Sequence, residues 1–144
     1  MSDNRVVCTA CGAINRLPEG KDAAMARCGT CREALFAGEP ADVSGDMFER
    51  QIAKSTVPVV IDVWAPWCGP CLAMAPEYEK AAQGTEPRAR FLKLNSDNEQ
   101  AISARLGIRG IPTMLVYRNG KEIARTSGSR SARDIMSWVD AAIG

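Results

Sequence analysis

Histidine is absent from the 144 residues of this chain. Its absence excludes imidazole as a general base and as a metal ligand. An excess of charge of one sign is missing too: 18 Lys and Arg stand against 17 Asp and Glu, a net +1. No strong field therefore draws the chain to nucleic acid or to an anionic membrane. Long apolar runs are also lacking. The longest covers residues 57–67 and is interrupted by Asp62, too short and too polar to span a bilayer. The opening stretch, MSDNRVVCTACG, has no apolar core of the secretory kind. The expected compartment is the cytoplasm, where thiols stay reduced.

Cysteine is present, six times, as three C-x-x-C pairs: Cys8 and Cys11, Cys28 and Cys31, Cys68 and Cys71. In a reducing compartment such cysteines are metal ligands or redox catalysts sooner than structural disulfides. Apolar and charged fractions of 46 % and 24 % are those of a soluble globular chain. The length suits one ordinary domain with a small appendage.

The chain divides by composition. Residues 1–36 carry four cysteines but few large apolar side chains, among them Val6, Val7, Ile14, Leu17, Leu35 and Phe36. So small a piece needs a metal or disulfides to order itself. Its charges balance, with Asp3 and Glu19 among the acids, and aromatics are sparse, which speaks against nucleic acid. Residues 37–42 read as a linker, and 43–144 as the main domain. There, strand and helix patterns alternate: a helix capped by Ser44 or Asp46, a buried strand over VPVVIDVW, and a helix opening near Cys68 with Pro76 inside it. A strand over RFLKLN follows, then a helix capped by Asp97 or Asn98, a hairpin turning at Asn119-Gly120, and a last helix capped by Ser131. The expected class is α/β with a mixed sheet.

Sixteen residues separate Cys11 from Cys28, a spacing that fits a four-cysteine zinc site. Tetrahedral zinc needs four thiolates about 2.3 Å from the ion. A C-x-x-C turn aims two sulfurs at one point, and Gly12 and Gly29 ease the tight backbone. Four cysteines leave no open position, so one structural zinc is expected. Two disulfides, free thiols or an iron–sulfur cluster are rival uses of the same residues.

Cys68 stands where a buried strand gives way to a helix. Helix N–H groups and the macrodipole favour a thiolate there. Pro70 has no N–H to lose, and Cys71 comes round on the same face within disulfide reach. Cys68 is the expected attacking thiol and Cys71 the resolving one.

The stretches DVWAPWCGPC, APEYEKAA, FLKLNSDN, GIRGIPT and YRNGKEI resemble, in order and spacing, segments of the thioredoxin family. The resemblance covers roughly residues 40–144. The segment with the first four cysteines resembles the N-terminal extension of the bacterial thioredoxin-2 subgroup. It implies a thioredoxin fold, a central mixed sheet flanked by helices, with a small zinc-ribbon-like module. It also implies a general protein-disulfide reductase with a redox-active Cys68–Cys71 disulfide, acting on diverse disulfide-containing proteins. Electrons would come from NADPH through thioredoxin reductase, and the chain would act as a monomer without membrane or nucleic-acid partners.

Asp62 interrupts an apolar strand, so burial should raise its pKa. The resemblance makes it the proton partner of Cys71 and brings the Lys93 amine towards it. It also makes the Ile111–Pro112 bond cis, with the Ile111 backbone pairing an extended substrate. Trp67, Gly69, Pro70, Ile111, Pro112 and Gly128 then form a flat apolar substrate surface around Cys68. Leu72 departs from the family, where a basic residue often follows the second cysteine. A reading of another class is a redox-controlled chaperone or binding protein, switched by zinc release.

Overall fold

The computed structural model describes residues 4–18 and 20–144. Residues 1–3 and Glu19, which entered the reading of the N-terminus and its charge balance, lie outside them. The elements, in chain order, are β1 (Arg5–Val7), β2 (Ile14–Arg16), β3 (Ala41–Asp42), α1 (Gly45–Lys54), β4 (Val59–Trp64), α2 (Gly69–Thr85), β5 (Arg90–Asn95), α3 (Gln100–Arg105), β6 (Thr113–Arg118), β7 (Lys121–Ser127) and α4 (Ala132–Ile143).

The main domain is built on a five-stranded sheet in the order β3-β5-β4-β6-β7. β3, β5 and β4 run parallel, and β6 is antiparallel to both of its neighbours, β4 and β7. β4 is central and buried on both faces, which is why it reads as a continuous apolar run. Val59, Ile61 and Val63 face Phe48 of α1, with Leu92, Leu94, Leu115 and Tyr117. Val60 faces the other way, onto Met74 and Tyr78 of α2 and Ile135 and Val139 of α4. This is a thioredoxin fold: a mixed sheet between two helical layers.

Local chemistry explains the element ends. The Ser44 and Ser131 side chains accept from the N–H groups of Met47 and Asp134, capping α1 and α4. Asn119 (φ 53°) and Gly120 (φ 78°) both take the left-handed conformation that a tight hairpin requires. Three details differ from the sequence reading. β3 starts inside the segment expected to be a linker, because Ala41 and Asp42 find Leu92 and Lys93 as register partners. α3 starts after Glu99 with no side-chain cap; Asp97 is engaged elsewhere. And Gly29 is not the residue in the strained turn position. The left-handed residues after the two N-terminal pairs are Gly12 (φ 79°) and Arg32 (φ 72°).

The N-terminal module is a two-stranded antiparallel hairpin, β1 and β2, followed by loops. Among the described residues, its buried apolar side chains are Val6, Val7, Cys8, Cys28, Leu35 and Phe36. Polar staples fix it to the main domain. The Val7 N–H donates to Ser55 Oγ at 3.0 Å, and Gln51 Nε2 donates to the Val7 carbonyl at 3.1 Å. Arg90, at the start of β5, is 3 % exposed. Its guanidinium donates to Leu35 O at 2.6 Å and Val7 O at 3.2 Å, and lies over the Phe36 ring. Burying that cation between carbonyls, an aromatic face and the Glu86 carboxylate offsets part of its desolvation.

Candidate active site and metal centre

Cys68 caps α2 with its sulfur. The Cys71 N–H donates to Cys68 Sγ at 3.2 Å, and Pro70 occupies the first turn, where no N–H is needed. Cys68 and Cys71 form a disulfide with their Cα atoms 5.2 Å apart. Both sulfurs are mostly covered, by Ala65, Trp64 and Ile111. Cys68, and not Cys71, lines an open cavity of about 520 Å³, with Trp67, Gly69, Pro70, Ser96, Arg109 and Ile111 among its walls.

The cavity wall opposite α2 is the 108–111 loop. The Ile111–Pro112 peptide bond is cis, and the Ile111 carbonyl oxygen lies 3.7 Å from Cys68 Sγ. Gly128 (φ 98°) donates its N–H to Pro112 O at 2.9 Å, so it touches the proline and not the cavity. Trp67 is 70 % exposed. Its indole N–H donates to Asp97 Oδ1 at 3.1 Å, which holds the ring at the rim. Sequence reasoning missed Asp97 as an anchor, together with Ser96, Ser103, Ile108, Arg109 and Gly110 as lining. The segment GIRGIPT carries the signal for three of them, Ile108, Arg109 and Gly110.

Asp62 is 1 % exposed. It lies two residues beyond Val60 on the same strand face. Val60 packs on Met74 and Tyr78, so Asp62 comes under the first turns of α2, on the stripe that carries Cys71. Burial pushes its carboxyl up from the usual 3.8 to about 7, against the pull of the Lys93 ammonium. Oδ1 of Asp62 has no hydrogen-bond partner among the described residues. Lys93 is half-buried, with its ammonium 4.4 Å from the centroid of the Trp64 ring.

The second cysteine cluster is built from two matching turns. Gly12 N–H donates to Cys8 O and Arg32 N–H to Cys28 O, both at 2.9 Å. Cys8 and Cys28 in turn donate to Ala13 O and Glu33 O at 2.9 and 2.8 Å. The turns face each other and bring all four sulfurs within 4.8 Å of one another. The Cys8–Cys31 and Cys11–Cys28 sulfur separations are both 3.6 Å. A zinc tetrahedron with 2.3 Å bonds has edges of about 3.8 Å, so the donor set fits. Without an ion the four thiols are unequal: N–H donors, that of Cys31 first and then Asn15 and Thr30, pull Cys28 down to about 6, whereas against the Glu33 N–H, burial and the neighbouring sulfurs push Cys31 up to about 12.

A family model described as thioredoxin matches residues 39–141. The chain belongs to the thioredoxin family. A second model, described as the N-terminal domain of thioredoxin 2, matches residues 7–33. Thioredoxin C-3 of Corynebacterium nephridii is 38 % identical over 135 residues, covering 94 % of this chain and 92 % of that one. The chloroplastic M-type thioredoxin of Chlamydomonas reinhardtii is 34 % identical over 117 residues, 81 % of this chain and 84 % of its own. Among solved structures, spinach chloroplast thioredoxin f superposes with a TM-score of 0.69 at 31 % identity, covering 76 % of this chain and 90 % of that chain. Membership makes this a thioredoxin-type disulfide oxidoreductase with disulfide-containing protein targets. Among the described residues, no helix is long and apolar enough to cross a membrane.

Proposed function

We propose that this thioredoxin is a general protein-disulfide reductase of a reducing cytoplasm, recharged by an NADPH-dependent thioredoxin reductase. The observation that carries the reading is the placement of Cys68: at a helix N-terminus, facing an open cavity, with its partner sulfur behind it.

In the reduced protein, the Cys68 thiolate attacks one sulfur of a substrate disulfide, and the other substrate sulfur leaves. The Cys71 thiol gives its proton to the Asp62 carboxylate. The resulting thiolate attacks Cys68 Sγ, which breaks the mixed disulfide and frees the second substrate sulfur. Two electrons pass to the substrate, whose sulfurs take up two protons, and Cys68 and Cys71 end as a disulfide. A carboxyl near pH 7 is matched to this task, because it accepts and returns a proton at neutral pH. Lys93 tunes that carboxyl. Trp67, Gly69 and Pro70 supply a flat contact surface, and the Ile111 backbone beside Pro112 pairs an extended substrate segment.

Cys8, Cys11, Cys28 and Cys31 would hold one zinc, which supplies a closed structural cross-link and no reaction step. Their role is to order a module whose own core is too small. One observation favours a second, regulatory reading for this site: Cys11 is exposed, which gives an oxidant access to the tetrad. Zinc release would then switch a chaperone-like or binding function.

The deciding assay is NADPH oxidation with thioredoxin reductase and a protein disulfide, for the wild type and Cys68→Ser, with zinc measured on both. Reductase-dependent turnover that vanishes in the variant is the expected result. Turnover that survives Cys68→Ser would sink the reading.

A further inference from the structure

A row of charged side chains crosses the sheet at the level of Asp62. Lys93 on β5 is the register partner of Asp62 on β4 and, on its other side, of Asp42 on β3. Directly paired residues point to the same face of a sheet. The row therefore reads carboxylate, ammonium, carboxylate: Asp62, Lys93, Asp42. Its two ends differ in setting. Asp62 is buried, and Asp42 lies exposed on the edge strand. A cavity of about 380 Å³ opens at the exposed end, with Asp42, Lys93, Trp64 and Glu99 in its walls.

The Lys93 ammonium is committed to neither acid. It rests against the Trp64 ring, and among the described residues it closes no ion pair. We propose that Asp42 is a positioning residue for proton transfer at Asp62, acting by drawing the Lys93 ammonium towards the solvent edge of the row. The proposal rests on the reading of Asp62 as the proton acceptor of Cys71.

The physical reason is competition for one cation. A buried carboxylate locked to an ammonium is a weak base, because the ion pair favours its charged form. Each increment of attraction that Lys93 directs to Asp42 leaves more of the desolvation of Asp62 standing.

The other groups around the row do not take this part. Glu99 lines the same cavity, but its carboxylate lies against the first turn of α1, where a Cβ on Gly45 would meet Glu99 Oε1 at 2.5 Å. Tyr78 of α2 stays neutral, since burial raises its phenol well above the usual range, and it donates to Leu92 O. Cys71 of α2 is the proton donor itself. The continuation of the row on β6 and β7, Met114 and Thr126, carries no charge.

The test is a carbon-13 NMR titration of the Asp62 carboxyl in the oxidised, zinc-loaded full chain. Four proteins are compared: wild type, Asp42→Asn, Lys93→Met and the double variant. Asp42→Asn should lower the Asp62 midpoint by about half a pH unit. In the Lys93→Met background the same change should have less than half that effect. The acid limb of the disulfide-reduction rate should move down with the midpoint in Asp42→Asn. An unmoved midpoint, or an equal shift with and without Lys93, would overturn the proposal. This titration is read whether or not Asp62 serves Cys71. The parent reading fails separately, if Asp62→Asn leaves turnover unchanged.

Discussion

Cys8 and Cys28 each open a tight turn, and the two turns close on each other. Cys68 opens a helix and faces a cavity. All three pairs share one spacing, so spacing does not decide what a C-x-x-C pair does. In the module the backbone turns back on itself after the second cysteine, which aims both sulfurs at one outside point. In the main domain the chain continues as a helix, which leaves the pair only each other and gives the first sulfur the helix N–H groups. The first arrangement suits a metal and the second a reversible disulfide. The two sites also lie at opposite ends of the sheet. The module docks where β4 and β5 begin, and the redox pair follows the end of β4, about 20 Å away by strand rise.

The sharpest break of this comparison is a pair of exchanged serines. Cys68→Ser should reduce protein-disulfide turnover below about one-thousandth while zinc content stays at one per chain. Cys28→Ser should do the reverse. Zinc would be lost, removing a cross-link worth roughly 10–16 kcal/mol in comparable sites, and residues 1–36 would become open to protease. Turnover of a small disulfide should stay within about twofold. A large loss of turnover in Cys28→Ser would show that the two regions are coupled after all.

Arg90→Met comes next. It leaves Leu35 O without its guanidinium donor, leaves Val7 O with Gln51 as its remaining side-chain donor, and removes the cation beside the half-buried Glu86. A loss of about 3–5 kcal/mol in denaturant unfolding is expected, with early proteolysis of the module and an unchanged rate at Cys68.

Asp62→Asn sharpens the other side. Turnover should fall about 10- to 100-fold, yet the protein should be more stable at pH 8. The folded-state pKa of about 7 lies above the unfolded 3.8. Between these values the folded chain binds the proton more tightly, so the stability contributed by the protonated form is full below 3.8 and is lost as pH rises to about 7. Asparagine removes that loss. The variant's advantage should reach at most about 4 kcal/mol above pH 8 and vanish near pH 4. A constant difference across pH would show that Asp62 titrates normally.

The smallest effect is expected at Arg32, whose left-handed backbone glycine accepts without strain. Arg32→Gly should stabilise zinc-loaded protein by about 1 kcal/mol or less, measured by metal-competition unfolding. Gly12 already fills the matching position of the other turn.

Much of this protein is legible in local patterns. The apolar run of β4, the serine caps of α1 and α4, and the Asn119-Gly120 hairpin follow from near-neighbour physics, which sequence records directly. So does the oddity of Asp62, a charge inside an apolar strand. What local patterns do not show has a common cause. Val7, Gln51, Ser55 and Arg90 are ordinary residues in sequence, and only the docking of the module turns them into buried staples. Asp97 looks like a helix cap until Trp67, thirty residues away, takes its carboxylate.

Sequence spacing is enough to read the three C-x-x-C pairs, the strand-to-helix junction at the third, and a four-cysteine metal pattern in the other two. These depend on spacings of a few residues and on period. The tertiary fold brought Cys68 rather than Cys71 to the cavity, opposite Ile111, and tied Pro112 to Gly128 behind it. It also set Lys93 between two carboxylates and seated the module at the far end of the sheet. Those outcomes depend on strand register and on contacts between segments up to 83 residues apart, whose partners no local pattern names.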